Sequence, residues 1–286
     1  MILALFLLQN ILVVTAGAGD YLLSAGGTLA GMIDNGASVH VIRVTNDEKD
    51  SYDLGPEETA RRTRIESEEA GRILGVKEVI SLGYRAAELA DVSFSDIRDR
   101  LILYIRHLKP GLMFIPNPYT EYDRVLDRYY TGSAAEDAWR AAALLNFQPP
   151  HADIGLAPHL TPELYYYASP VDPARREPES TATFVPQPKT VDISAAFPRK
   201  LKAVQALKTI NHNTARRLKD QLTSTRRRVK LLETVDDTTV NQLVEENVRG
   251  LARIAAEGAS YKMAEEFRYA GVEFRIPSRY LSGPQP

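Results

Sequence analysis

Between Thr15 and Ala30 the chain reads Thr-Ala-Gly-Ala-Gly-Asp-Tyr-Leu-Leu-Ser-Ala-Gly-Gly-Thr-Leu-Ala. Two glycines and a carboxylate in one short turn could cradle a phosphate or hold a cation. As a dinucleotide loop the stretch is poor. The third glycine of a G-x-G-x-x-G pattern would fall on Leu22, and Asp20 would aim a carboxylate at the pyrophosphate. A second group of chemically capable residues is Glu121, Tyr122, Asp123, Asp127 and Arg128. Carboxylates beside an arginine can do acid–base work without a metal when burial drives their pKa values apart, which makes Asp20 and Asp127 the candidate catalytic residues. The same residues can instead form a salt-bridge network that holds a loop or a ligand. The pocket expected from both readings is lined by Asp20, Tyr21, Asp47, Glu121, Tyr122, Asp123, Asp127 and Arg128. Tyr129-Tyr130 and Tyr165-Tyr166-Tyr167 could add aromatic walls for a sugar-like or polycyclic ligand, or could simply be packing.

Such residues need a scaffold that brings distant loops together. Short apolar, β-branched runs at 10–15, 38–45, 78–82 and 111–116 alternate with stretches of helical period, the signature of βαβ units around a parallel sheet. Leu22, Gly26, Leu29 and Ile33 line one face of a first helix that Asn35-Gly36 ends, and residues 57–74 form a second. Phe94, Ile97, Leu101, Ile105 and Leu108 make the stripe of a third, stopped by Pro110-Gly111. Right-handed crossovers then predict a Rossmann-like, doubly wound, mostly parallel sheet, whose ligand crevice lies at the carboxyl ends of the strands. From 148 to 198 prolines dominate, which predicts loop with one strand at 163–167, and residues 199–222 and 238–258 read as helices. The expected organisation is a Rossmann-like domain over 1–198, Pro-rich segment included, with a helical C-terminal extension over 199–286 packed on it. A frayed end at 283–286 and no internal repeat complete the reading.

Composition narrows the function classes. Hydrophobic residues make up 44% and charged residues 25%, as in a globular chain and unlike a disordered one. A formal charge of −2 argues against a protein that traps nucleic acid with its whole surface. The absence of cysteine excludes disulfides, zinc fingers and thiol nucleophiles, and leaves five histidines for any metal site. The apolar opening Met1–Leu8 has no basic flank and is interrupted by Gln9-Asn10, so it is read as a buried edge of a cytoplasmic protein and not as a signal peptide or membrane span. His40 and His107 fall within a strand and a helix, as packed or surface residues. His151, Asp153 and Asp20 form an alternative metal set if the Pro-rich segment folds over the crevice. Residues 199–230 carry eleven basic side chains against the single acid Asp220. The reading is a solvated helix compensated by the acidic 47–69 segment, with no nucleic-acid partner.

The first turn resembles the PIG-L/LmbE-like family of zinc-dependent N-deacetylases. That family's signature is a strand, then A-H-P-D-D-E, then G-G-T-L-A. Ala16, Asp20 and Gly26-Gly27-Thr28-Leu29-Ala30 match it in register. The likeness continues through Thr45-Asn46-Asp47-Glu48, Glu66, Leu74-Gly75-Val76, Leu82-Gly83, Asp192-Ile193, Lys200-Leu201 and the stretch Tyr261–Arg268. It implies the family fold over almost the whole chain. It also places the family's three zinc ligands at Gly17, Asp20 and Arg128, its water-activating aspartate at Gly19, an oxyanion-stabilising histidine at Val125 and a late histidine at Leu207. Of those ligands only Asp20 can bind a metal. The implied expectation is a family member without cofactor or zinc-dependent deacetylase activity, keeping a pocket for a sugar-like or natural-product-like ligand. A metal-independent enzyme of glycoside or natural-product metabolism, or an active deacetylase with a rebuilt metal site, are the alternatives. Symmetric oligomers are common in the family, so a homo-oligomer is expected and a membrane partner is not.

Overall fold

The computed structural model describes residues 9–119, 125–167 and 188–270. Its first half follows the apolar periodicity closely. Strands β1 (Asn10–Thr15), β2 (Ser38–Thr45), β3 (Glu78–Tyr84) and β4 (Leu112–Pro116) alternate with helices α1 (Asp20–Asp34), α2 (Pro56–Leu74) and α3 (Phe94–Leu108). Helix α4 (Leu126–Ala141) and the short α5 (Pro150–Asp153) lead to β5 (Glu163–Tyr167). After β6 (Pro188–Asp192) come α6 (Phe197–Gln205), α7 (Lys208–Ser224), α8 (Asp237–Ala255) and β7 (Ala264–Tyr269). The seven strands form one sheet in the order β3-β2-β1-β4-β5-β7-β6. The first five are mutually parallel, and β7 runs antiparallel to both its neighbours.

Burial on both faces explains why the inner strands are apolar without alternation. Ile11, Val13, Val39, Val41, Leu112 and Phe114 pack beneath α1, α2, α6 and α8. Leu12, Val14, Ile42, Val44, Met113 and Ile115 pack beneath α3 and α4 on the opposite face. The segment after 199, expected as helices alone, also returns a strand to the sheet, and β6 emerges from the region read as loop. Residues 283–286 lie outside the described residues, as do Met1–Leu8.

Helix α1 is held by a buried ion pair inserted into its side. Glu265 on β7 accepts the backbone N–H groups of Gly27 and Thr28 at 2.9 and 2.8 Å, while Lys200 on α6 donates to the carbonyl of Leu23 at 2.6 Å. In an uninterrupted helix the N–H of Gly27 would bond to that carbonyl. Lys200 and Glu265 also pair with each other at 2.7 Å, each with its side chain 2% exposed. Position 27 needs glycine for this approach, because a Cβ there would lie 2.7 Å from the Ile193 side chain. The Gly26-Gly27 pair is thus where the C-terminal segment locks onto the helix that carries Asp20.

Candidate functional site

Strand order reverses between β1 and β4, which opens a crevice at their carboxyl ends. Four connections converge there. The turn after β1 supplies Gly17, Gly19 and Asp20. The loop after β2 supplies Asp47 and Asp50, that after β3 supplies Ala87 and Leu89, and α4 begins with Asp127 and Arg128. Asp20 and Arg128 were expected on loops, but both stand in the first turns of helices, which fixes their directions more tightly.

The side chains of Arg128 and Asp20 meet. Nε and Nη2 of Arg128 each lie 2.8 Å from Oδ1 of Asp20, and Oδ2 of Asp20 accepts the N–H of Gly17 at 3.0 Å. Both carboxylate oxygens are therefore engaged. Asp47 fills the space beside Gly17, so that a Cβ at residue 17 would come within 2.7 Å of Asp47 Oδ1. The Asp47 carboxylate is almost wholly buried. It accepts from the N–H of Ala18 at 3.0 Å, from Thr45 Oγ1 at 3.2 Å and from Arg43 Nη1 at 3.2 Å. Burial pushes its carboxyl up to about 7 against the pull of Arg43. Its φ of 54° is a conformation unfavourable for a residue with a side chain, a strain that often marks a site.

Asp127 holds the loop after β3, accepting the N–H groups of Ala87 at 2.5 Å and Leu89 at 3.3 Å. Asp50 is also raised, by burial first and then by the charges of Asp20 and Asp127, with Arg217 and Arg128 opposing. Arg43 is fully buried in β2, and its second contact is the carbonyl of Thr63 at 3.3 Å. Sequence reasoning passed over both Arg43 and Asp50. A lone arginine inside the apolar run Val-His-Val-Ile-Arg-Val was the available signal for the first.

Other expected pocket residues fall elsewhere. Tyr21 is completely buried against α2, its hydroxyl without a hydrogen-bond partner among the described residues and its pKa raised by burial, so it does not line the crevice. Tyr165, Tyr166 and Tyr167 are buried in the sheet and are packing, not ligand walls. Tyr129 is half exposed at the start of α4 and stacks edge-on against Tyr130 at 5.3 Å, beside the exposed Val125 and Leu126. Glu121, Tyr122 and Asp123 lie outside the described residues. The alternative metal set dissolves, because His151 contacts Arg106 at 3.2 Å where α3 ends, at the opposite end of the sheet from Asp20. His159 is also at that end, bonded to the carbonyl of Pro110 at 2.8 Å.

The family model for GlcNAc-PI de-N-acetylase, PIG-L, matches residues 12–139. A solved diacetylchitobiose deacetylase from Pyrococcus horikoshii superposes with a TM-score of 0.71 at 25% identity, covering 92% of this chain and 84% of that one. Over residues 12–139, a little under half of its length, the chain is similar to the PIG-L/LmbE-like deacetylase family. A diacetylchitobiose deacetylase from Thermococcus kodakarensis is 26% identical over 161 residues, 56% of this chain. That alignment takes in 60% of the relative's length. A conserved protein from Thermus thermophilus shares the fold with a TM-score of 0.63 at 22% identity, covering 94% of this chain and 98% of that one.

A zinc ion in such a fold needs three protein ligands with lone pairs and an open position for water. At the positions that the family resemblance assigns, Gly17 has no side chain and Arg128 offers only donors and a positive charge. The remaining ligand, Asp20, already spends its oxygens on Arg128 and Gly17. Among the described residues no three His, Asp or Glu side chains are arranged to hold a metal. The residues present do not fit zinc. The positions assigned to the water-activating aspartate and the late histidine do meet in space: a Cβ on Gly19 would touch Leu207 Cδ1 at 3.6 Å, and Leu207 is buried. A side chain at residue 19 would therefore begin in ordinary van der Waals contact with an apolar neighbour.

Proposed function

We propose that this chain is a PIG-L/LmbE-like protein that has given up zinc-dependent deacetylation and uses its crevice to bind a small sugar-like or natural-product-like molecule. The observation that carries the reading is the double contact of Arg128 with Asp20, which puts a guanidinium where the family resemblance expects a metal-bound group. Asp47 beside Gly17 supports it, since it fills the space that a ligand imidazole would require, and the buried Leu207 gives residue 19 an apolar neighbour. The relatives include deacetylases of diacetylchitobiose, which favours an amino sugar as the ligand class. The exposed Tyr129 beside the crevice offers such a ring an aromatic face.

A second reading rests on Asp50. Its carboxylate makes no side-chain hydrogen bond among the described residues and is held protonated to a higher pH than an ordinary aspartate, as a metal-free general acid would need. The experiment that tests the proposal combines metal analysis of protein purified without chelator with assays on a panel of acetylated amino sugars, with and without added zinc. The expected result is well under one zinc per chain, no deacetylation that zinc can raise, and saturable binding of at least one sugar. Stoichiometric zinc in the crevice overturns it, and metal-free turnover that Asp50→Asn abolishes would select the second reading.

A further inference from the structure

The basic segment is only partly neutralised by protein carboxylates. Arg199, Lys200, Lys208 and Arg216 pair with Asp34, Glu265, Asp237 and Asp53. Among the described residues no carboxylate pairs with Arg226, Arg227, Arg228 or Lys230. Cations gather at the end of a helix for an ordinary reason, namely to bond the last carbonyls and oppose the dipole. Here three of the last four carbonyls are already taken. Gln221 O accepts from Thr225 N and Ser224 Oγ, Leu222 O from Arg227 N at 2.8 Å, and Thr223 O from Arg226 N at 2.9 Å. The reversal that makes this possible holds Arg226 at φ 58°, a position that normally selects glycine.

Two of these side chains, Arg227 and Arg228, border a cleft of about 270 Å³ between the end of α7 and the 3-10 turn Lys230–Leu232, lined also by Lys219 and Thr223 over Leu222, Val229 and Leu232. Lys219 is anchored at its mouth by a 2.8 Å bond to the carbonyl of Glu233, whose carboxylate is the one acid on the lining. Three cations around one small cleft exceed what a single carboxylate ligand can use, since one guanidinium satisfies a carboxylate bidentately. A tetrahedral dianion can accept from all three.

We infer that this cleft binds a phosphate monoester, its phosphoryl oxygens on Lys219, Arg227 and Arg228 and its carbon portion on the apolar floor. The site is separate from the crevice that holds Asp20, and its occupancy does not depend on the fate of the metal. Isothermal titration of the full chain with inorganic phosphate and with glycerol 3-phosphate, at about 0.15 M salt where exposed charges are largely screened, tests the inference. One saturable site per chain is expected, tighter for the monoester than for phosphate. Arg227→Gln with Arg228→Gln should weaken it at least tenfold, and the paired lysine substitutions should weaken it less, because charge survives without the fork. Vesicles containing phosphatidic acid identify the source of the monoester: capture that glycerol 3-phosphate displaces assigns the cleft to a lipid headgroup, and no capture assigns it to a free metabolite. Since Arg227 and Arg228 are exposed, the variants should keep the wild-type melting temperature. Titration heats unchanged in the double glutamine variant, or no saturation at all, overturn the inference.

Discussion

Arg128 and Asp20 are 108 residues apart in sequence and 2.8 Å apart at their charged groups. A carboxylate this little exposed would lose several kcal/mol if stranded without a partner. The guanidinium removes that loss by charge and by two donors. Arg128→Ala should therefore destabilise the protein more than Arg128→Ala combined with Asp20→Asn, with a coupling of about 1 kcal/mol or more in a double-mutant cycle. Urea unfolding of the four proteins measures it. Additive effects would show that Asp20 depends on some other neighbour.

The Lys200–Glu265 pair makes a larger contribution, because each group also satisfies backbone of α1 from a fully buried position. Removing either partner alone leaves an uncompensated charge and unpaired helix groups, at a cost of about 3–5 kcal/mol. Lys200→Met and Glu265→Gln should each lower the melting temperature by at least several degrees. Glu265→Gln should be the milder, since an amide oxygen can still accept one N–H from α1. Melting curves within a degree of wild type would remove the pair from the account of how α1 is held.

The parts of this architecture legible in the sequence were those written in large apolar side chains. Strands β1 and β2 carry continuous β-branched runs, and the stripe of α3 repeats at helical spacing, so their limits fall within a residue or two of the expected ones. Helix α4 was not legible because its buried face is mostly Thr131, Gly132, Ala134, Ala135 and Ala138, small residues that with the single large Trp139 leave no apolar stripe. Strand β6 begins with proline and reads Pro-Lys-Thr-Val-Asp, as an edge strand can, which hid it in the proline-rich segment. At the site, the vacancies at Gly17 and Arg128 could be read by alignment with a motif. What fills them could not, since Asp47 reaches Gly17 only through a left-handed backbone turn that no pattern of residue types announces.

Asp47 also makes the fold sensitive to pH. Its pKa in the folded protein is raised to about 7, above the ordinary value of 3.8. A carboxyl raised on folding stabilises the native state while protonated, so its contribution is complete below about pH 4 and is lost as pH rises toward 7. Asp50, raised as well, acts with the same sign. The groups around Asp47 are Arg43, which opposes the shift, and Asp50 and Asp20, which add to it. Unfolding free energies measured from pH 5 to pH 8 should therefore fall more steeply for wild type than for Asp47→Asn, by on the order of 2 kcal/mol across the window. Parallel curves would mean that Asp47 stays ionised throughout and that Arg43 outweighs its burial.

The final expectation concerns rebuilding the metal site. If Asp47 and Arg128 are what displaced the ion, restoring ligands one at a time should fail for different reasons. Gly17→His alone must place a side chain where Asp47 Oδ1 would lie 2.7 Å from its Cβ, so it should destabilise the protein and still leave Arg128 repelling a dication. Arg128→His alone frees Oδ1 of Asp20 but supplies only two ligands, short of the three that a catalytic zinc takes. Adding Asp47→Gly to both clears the space beside residue 17, and glycine suits the φ of 54° that aspartate adopts there under strain. The triple variant should then hold about one zinc per chain in equilibrium dialysis, while each single variant stays near the wild-type level. The zinc should also raise the melting temperature of the triple variant alone, because an ion that binds only the native state stabilises it. Failure of a well-folded triple variant to bind zinc would show that positions 17, 20 and 128 do not converge on one ion, and that Arg128 is not standing in for a metal.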